Sequence, residues 1–421
     1  MKLPKTYAMI VAHAISLLAL PTSLCLTLWL MSFQPAAAQS GLRELLEARR
    51  RMVNEEISAQ GIENERLLTA MREVPREQFL PLSKRNLAYL NVAVTYGDGH
   101  IILPPLVTAH LIEQVDPQKN DKVLVIGSGS GYSTALLSRM CREVDAVEID
   151  PVVAKSAEET LARLKYTNVR MRIGDGFEGW KEHAPYQRII VECSPENVPQ
   201  PLVDQLAEGG MLLVPVGDEF DQTMHLCKKE NGKLSTLSLW PTLLLPMKGK
   251  AEELRSQSDK PRDPTLLNSG FEELVPQTKD VPAAWVYVRQ GRAIADRSCP
   301  EGNNSMSFTN VTPGVVATAI QAFPVDGKKI SELGIACKVW GMDIRPGQTR
   351  QQLPRVEVRF FDEKRRLVGG DWMGGWNMSF TWIKKDHVFA VPRLAKFAVI
   401  RIGLGGATGE IKFDDFKLEY Q

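Results

Sequence analysis

Neither sign of charge dominates this chain. Its 421 residues carry 51 Lys and Arg against 50 Asp and Glu, a formal net charge of +1. That balance removes the electrostatic case for a nucleic-acid partner, which a basic stripe would make. Cysteine is scarce. There are six, with no Cys-x-x-Cys pair and no His/Cys cluster at metal-ligand spacing, so no metal site is predicted from them and a structural zinc is not expected. No internal repeat is visible. What is present is ordinary globular material, 44% hydrophobic and 24% charged, enough to build real cores. The length exceeds one usual domain and predicts about two or three.

The N-terminus differs from the rest. Lys2 and Lys5 precede an apolar stretch over residues 9–31, and Ala36-Ala37-Ala38 then stands before Gln39. These are the parts of an export signal cut after Ala38. The apolar stretch is longer than the roughly 7–15 residues usual for such a signal. It approaches the roughly 20 that span a bilayer, so an uncleaved anchor is the alternative. Residues 1–38 are read as a signal peptide or membrane anchor, and the predicted location is the periplasm or cell envelope.

Helical spacing of Leu42, Leu45, Leu46 and Val53 predicts a helix over residues 41–60, and a second runs over 64–73, before Pro75. Gly97, Gly99, Pro104 and Pro105 mark residues 91–105 as an extended loop. Short Val/Ile/Leu runs follow at 123–126, 144–149, 169–173, 189–191 and 211–216, separated by helices from Ser133, over 151–164 and near 202–206. That alternation is what a parallel sheet covered on both faces requires. Two more strands, 224–227 and 234–245, end the sheet. The fold class is α/β over residues 41–249, a polar linker at 250–263, and an all-β sandwich at 264–421, where strand-like alternation recurs without helices.

The strongest local signal is Val123 to Ile126 running into Gly127-Ser128-Gly129-Ser130-Gly131-Tyr132, a buried strand feeding a helix through a glycine turn. Glycine lets a backbone approach a ligand, and a helix N-terminus offers free N–H groups. The spacing is G-x-G-x-G rather than the G-x-G-x-x-G of dinucleotide sites. Glu148 closes the next strand about 20 residues on, where an acid can bind ribose hydroxyls. Asp150 before Pro151 reads as a helix N-cap. Asp175 and Gly176 follow the third strand; Asp175 is a candidate acceptor for an adenine amino group, or an ordinary Asp-Gly turn residue. Ligands of open α/β sheets bind outside these strand ends.

From about Arg51 to Gly249 the sequence resembles the protein-L-isoaspartate O-methyltransferases. The resemblance rests on Val74-Pro75-Arg76-Glu77-Gln78-Phe79, the glycine loop with Tyr132, Gly174-Asp175-Gly176 with Gly179-Trp180, Leu206-Ala207-Glu208-Gly209-Gly210, Pro215-Val216-Gly217 and Pro246-Met247-Lys248-Gly249. It implies a Rossmann-like S-adenosyl-L-methionine-dependent methyltransferase. Gly127, Ser128, Gly129 and Gly131 would hold the methionine moiety, Glu148 the ribose, and Asp175 with Gly176 the adenine. The implied partners are isoaspartyl-containing proteins or peptides, methylated on the exposed carboxylate for repair, and the family's usual cytoplasmic location is the alternative to export. The acceptor loop departs from the family pattern G-x-G-x-T-[IV]-S-x-P. Ile101 replaces the Thr and Leu103 the Ser, leaving His100 and Asp98 as nearby polar candidates. Glu192-Cys193-Ser194 also stands where the family has small neutral residues. A degenerate domain that binds peptide or glycan, or one with another acceptor, is the competing reading.

The C-terminal part resembles the galactose-binding-like jelly roll of carbohydrate-binding modules, on Asn268-Ser269-Gly270-Phe271-Glu272 and Phe413-Asp414-Asp415-Phe416. It implies a possible glycan partner. Trp372, Trp376 and Trp382 are candidates for a sugar-stacking platform or for sandwich core. Asp414 and Asp415 are candidates for a calcium site or for turn residues.

Overall fold

The computed structural model describes residues 36–97, 99–256, 263–276 and 278–421. The apolar stretch at 9–31, Asp98 and most of the second half of the predicted linker lie outside them. In chain order the helices are α1 (Ala36–Arg51), α2 (Glu65–Glu73), α3 (Pro105–Val115), α4 (Tyr132–Ser138), α5 (Pro151–Arg163), α6 (Gln200–Gln205) and α7 (Lys250–Ser256). The first strands are β1 (Val94–Tyr96), β2 (His100–Ile102), β3 (Lys122–Ile126), β4 (Glu143–Glu148), β5 (Val169–Ile173), β6 (Tyr186–Val191), β7 (Leu206–Gly217), β8 (Gln222–Glu230) and β9 (Lys233–Thr242).

Strands β3 to β9 form one sheet in the order β5-β4-β3-β6-β7-β8-β9, parallel up to β7 and closed by the antiparallel β8 and β9. The pleat sends successive β3 residues to opposite faces. Val123 and Val125 join one apolar core while Leu124 and Ile126 join the other, all fully buried. Such two-sided burial is why these strands read as continuous hydrophobic runs. Where order reverses, between β3 and β6, a crevice opens at the strand C-termini.

Local capping agrees with the sequence. Asn64 accepts the N–H groups of Arg66 and Leu67 to start α2, and Asp150 accepts those of Val152 and Val153 to start α5. Four segments differ from expectation. The predicted helix over 41–60 passes from α-helix through a π-helical stretch, Met52–Ile57, to a 3-10 turn, and Gly61 ends it. Residues 91–105 hold a short hairpin, β1 paired with β2, rather than loop alone. Helix α3 begins at Pro105, a residue suited to the first turn because its missing N–H needs no partner there. The predicted linker opens with α7.

The C-terminal half continues with β10 (Val286–Arg289), β11 (Gly291–Ala295), β12 (Asn304–Asn310), β13 (Thr318–Pro324), β14 (Glu332–Arg345), β15 (Arg355–Phe361), β16 (Leu367–Gly374), β17 (Met378–Ala390), β18 (Phe397–Gly403) and β19 (Thr408–Tyr420). They form two antiparallel sheets, β10-β13-β18-β15-β16 and β11-β12-β19-β14-β17, around one core that includes Trp285, Phe308, Phe360 and Phe413. This is a β sandwich. Cys299 and Cys337 are free thiols.

One buried cation positions the mouth of the crevice. Arg76 is fully buried, donates Nε to the Ala88 carbonyl at 2.8 Å and Nη2 to the Leu103 carbonyl at 2.8 Å, and its guanidinium lies 4.7 Å from the ring centre of Tyr132. Beside it, buried Arg49 reaches the Tyr89 hydroxyl at 2.8 Å, the Glu73 carbonyl at 3.0 Å and Glu77 at 3.3 Å. Arg76→Met keeps bulk but strands two carbonyls. Urea unfolding is expected to show a loss of about 3 kcal/mol, and Arg76→Lys, which reaches one carbonyl at a time, recovers only part of it.

Candidate active site

The C-terminal ends of β3, β4 and β6 open into one cavity of about 1550 Å³. The turn after β3 forms its floor. Gly129 sits at φ +53°, a backbone conformation that favours glycine, and a Cβ there would lie a tight 3.3 Å from the Tyr96 hydroxyl. Its N–H donates to Glu148 Oε2 at 3.0 Å, while Glu148 Oε1 accepts the Asp150 N–H at 3.0 Å. Glu148 is buried, lines the cavity, and is held with lone pairs to spare. Gly127, Ser128 and Ser130 line the cavity too, and the buried Ser128 Oγ has no hydrogen-bond partner among the described residues. Gly131 is elsewhere: it caps α4 and packs against Ala157 and Leu161 of α5.

Asp175 uses Oδ1 to accept the Phe177 N–H at 2.9 Å and Oδ2 to accept the Lys250 N–H at 2.8 Å. It thereby ties the turn after β5 to the start of α7. Gly176 faces the cavity, whereas Asp175 lies behind it.

The β1–β2 hairpin forms the opposite lip. His100 Nε2 lies 3.1 Å from Asp150 Oδ2, and its ring lies 5.6 Å from that of Tyr96, so His100 fastens the hairpin to the N-cap of α5. Ile101 and Leu103 line the cavity as aliphatic chains, Leu103 being held by its carbonyl on Arg76. Asp98 lies outside the described residues. Tyr96 escaped the sequence reading because nothing in a three-residue strand marks it. Its hydroxyl is buried, lines the cavity and has no hydrogen-bond partner among the described residues. Burial, followed by the charges of Glu148, Glu192 and Asp150, raises its pKa above the ordinary phenol value, so it remains a neutral donor.

Glu192 follows β6 and faces the same space. Its Oε1 is shielded and unpartnered among the described residues. Burial pushes its carboxyl up to about 7, with the neighbouring Ser133 hydroxyl restraining the rise and the Glu148 charge adding to it. Cys193 packs under the turn, its Sγ 3.1 Å from where a Gly127 Cβ would stand, and burial raises its thiol, which keeps it unreactive.

The β sandwich meets this mouth directly. Arg289 Nη2 donates to the Asn91 carbonyl at 2.8 Å, Tyr287 donates its hydroxyl to the Leu243 carbonyl at 2.8 Å, and Arg365 pairs with Glu219 at 2.9 Å. The three candidate platform tryptophans do not share a setting. Trp372 is exposed on β16 beneath Arg355, Trp376 packs edge-on against Phe413, and Trp382 lies on β17 in the other sheet. Asp414 is buried and accepts the N–H groups of Glu301 and Asp415.

The family model for protein-L-isoaspartate(D-aspartate) O-methyltransferase matches residues 47–252. A protein-L-isoaspartate O-methyltransferase of Gloeobacter violaceus is 42% identical over 197 residues, covering 47% of this chain and 96% of its own length. One from a Picosynechococcus species is 39% identical over 201 residues, covering 48% of this chain and 90% of its own. A solved protein-L-isoaspartate O-methyltransferase is 24% identical with a TM-score of 0.45, covering 62% of this chain and 85% of that one.

Because the Glu192 carboxyl rises from an ordinary 4.5 to about 7 in the fold, the folded chain holds a proton that the unfolded chain releases between those values. Its contribution is intact below about pH 4.5 and is lost as pH rises through about 7. Glu192→Gln keeps the neutral form at every pH. Its unfolding temperature is expected to match the parent at pH 4.5 and exceed it by roughly 4 °C at pH 8. Thermal melts at the two pH values check this; an equal gap at both removes the assignment.

Proposed function

This chain belongs to the protein-L-isoaspartate O-methyltransferase family, and on that premise we propose that it methylates the free carboxylate of isoaspartyl residues in damaged proteins. The observation that carries the reading is the convergence of the glycine turn, Glu148 and the β1–β2 hairpin on one cavity. When bound, S-adenosylmethionine supplies a methyl group carried on a cationic sulfonium. The residues present fit such a cofactor. The Gly127 to Ser130 turn offers backbone without bulk, the unpartnered Ser128 hydroxyl suits its amino-acid end, and Glu148 has lone pairs left for ribose hydroxyls. Asp175, holding Gly176 against the cavity, serves the adenine edge through that turn.

An isoaspartyl carboxylate is ionised at neutral pH and is already the nucleophile, so no base is required. What the chain must do is place it and strip its water. Ile101 and Leu103 exclude water where the family pattern has hydroxyls. Tyr96 supplies a hydroxyl donor from the strand before the loop, and Glu192 in its neutral form donates a second hydrogen bond. His100 acts by holding the hairpin shut on Asp150. The ester formed closes to a succinimide as the following backbone nitrogen displaces methanol, and water reopens the ring in part as normal aspartate. The aliphatic Ile101 and Leu103 also favour a second reading, in which the domain binds peptide or glycan without turnover.

The leader predicted over residues 1–38 goes with an exported or envelope-associated protein, and the sandwich is read as a jelly roll of the carbohydrate-binding kind. A mature chain sequenced from Gln39 supports export; an intact N-terminus on cytoplasmic protein removes it.

Labelled S-adenosylmethionine with an isoaspartyl peptide is expected to give base-labile label, and its aspartyl twin none. Loss of that label with S-adenosylhomocysteine binding intact leaves the second reading. Tyr96→Phe is expected to lower kcat/KM by about 10- to 100-fold while sparing S-adenosylhomocysteine affinity. Activity falls above about pH 7 in the parent as Glu192 ionises, and Glu192→Gln is expected to lose that limb.

A further inference from the structure

The cavity has a second wall that the methyltransferase reading leaves without a role. It is the outer face of the β10-β13-β18-β15-β16 sheet. In β15 and β18, Val356, Val358, Phe360, Ala398, Ile400 and Ile402 point into the sandwich core. The alternate residues therefore point outward, and register aligns Ile320, Arg401 and Glu357 in one cross-strand row and Val399 with Arg359 in the next. An outer sheet face normally meets water. Here Ile320, Val399, Arg359 and Arg401 line the same cavity as the glycine turn. The turn after β15 closes the contact, bringing the Lys364 carbonyl within 3.0 Å of where a Gly99 Cβ would stand.

Charge divides between the walls. On the methyltransferase side the cavity is lined by Glu55, Glu56, Glu148, Glu192, Glu219 and Glu252, with Lys248 as a cation. On the sandwich side it is lined by Arg289, Arg359, Lys364, Arg365 and Arg401, with Glu357 and Glu363 as acids. Glu357 lies between two guanidiniums, 2.9 Å from Arg359 and paired also with Arg401. One carboxylate shared by two cations leaves positive charge over. Burial lowers the Arg401 pKa, Glu357 opposes this, and Arg359 and Arg355 lower it further. Both arginines keep part of their side chains open to the cavity, at 50% and 38% exposure. The volume exceeds the roughly 300–1,000 Å³ of ordinary small-molecule sites, leaving room for a chain beside a cofactor.

We propose that this sheet face is the second half of the acceptor site, binding an extended acidic peptide segment that flanks the methylated residue, with Arg359 and Arg401 pairing its carboxylates. The proposal rests on the methyltransferase reading for which residue is modified, and not for the binding itself. Peptide is favoured over nucleic acid because Ile320, Val399 and Glu357 interrupt the arginines of this face, whereas a phosphate backbone calls for a continuous cationic track. Half-buried Ile320 and Val399 between the arginines suit side chains of mixed character.

The test is fluorescence anisotropy of a labelled isoaspartyl hexapeptide with flanking glutamates, on the full chain loaded with S-adenosylhomocysteine. The parent is expected to bind it more tightly than a lysine-flanked version, with affinity falling as salt rises. Arg359→Gln with Arg401→Gln is expected to weaken binding at least tenfold and flatten the salt dependence, with S-adenosylhomocysteine affinity unchanged. The paired Lys variant is expected to recover most of the loss. Equal affinity in parent and double-Gln variant, preference for the lysine-flanked peptide, or no peptide binding by the parent overturns the proposal. Arginine-dependent binding without methyl transfer supports this surface and removes the repair reading alone.

Discussion

The buried guanidinium of Arg76 is the constraint on which the geometry of the cavity mouth rests. It meets the carbonyl of Leu103 in the acceptor hairpin, the carbonyl of Ala88 in the segment leading to it, and the face of Tyr132 at the end of the glycine turn. A charge taken wholly out of water costs stability unless its donors are matched; Nε and Nη2 of Arg76 are, while Nη1 has no hydrogen-bond partner among the described residues. Matching these donors sets the spacing between the element that would hold the cofactor and the one that would hold the acceptor. The Arg49, Glu77 and Tyr89 cluster performs the same service one layer further out.

From that frame follows the electrostatic division of the cavity. Strand ends at a sheet's switch point offer acids and backbone N–H groups, a setting suited to a cationic cofactor. An anionic acceptor needs the opposite, and the altered hairpin supplies less of it because Ile101 and Leu103 have no donors. Tyr96, neutral Glu192 and the arginines of the sandwich face compensate from three different elements. Specificity is thereby moved from a local loop to residues far apart in the chain.

Much of this was legible in the sequence where the signal is local. The glycine turn, Glu148 and the Asp150 cap are each written in fewer than about a dozen residues, and the Val/Ile/Leu runs marked the parallel strands because two-sided burial leaves no alternation. Helix α3 was missed since Pro104 and Pro105 read as a break, although a proline at the first helical position is also a start. Tyr96, Arg76 and Arg401 were not legible as site residues. Each acquires its role by meeting segments dozens to hundreds of positions away, and no periodicity records such meetings. Gly131 belongs to the same motif as Gly129 yet serves helix packing, a distinction only the fold makes.

Gly99 stands where the two halves of the chain touch. Its backbone is in a left-handed conformation, φ +87°, and the Lys364 carbonyl occupies the space a side chain would need. A relative built without a sandwich feels only the first of these restrictions; this chain feels both. Drift at either partner is therefore answerable to the other. Lengthening the β15–β16 turn would press on the acceptor hairpin, and remodelling the hairpin for another acceptor would have to leave room for that turn. The appended half has become part of what the catalytic half is permitted to become.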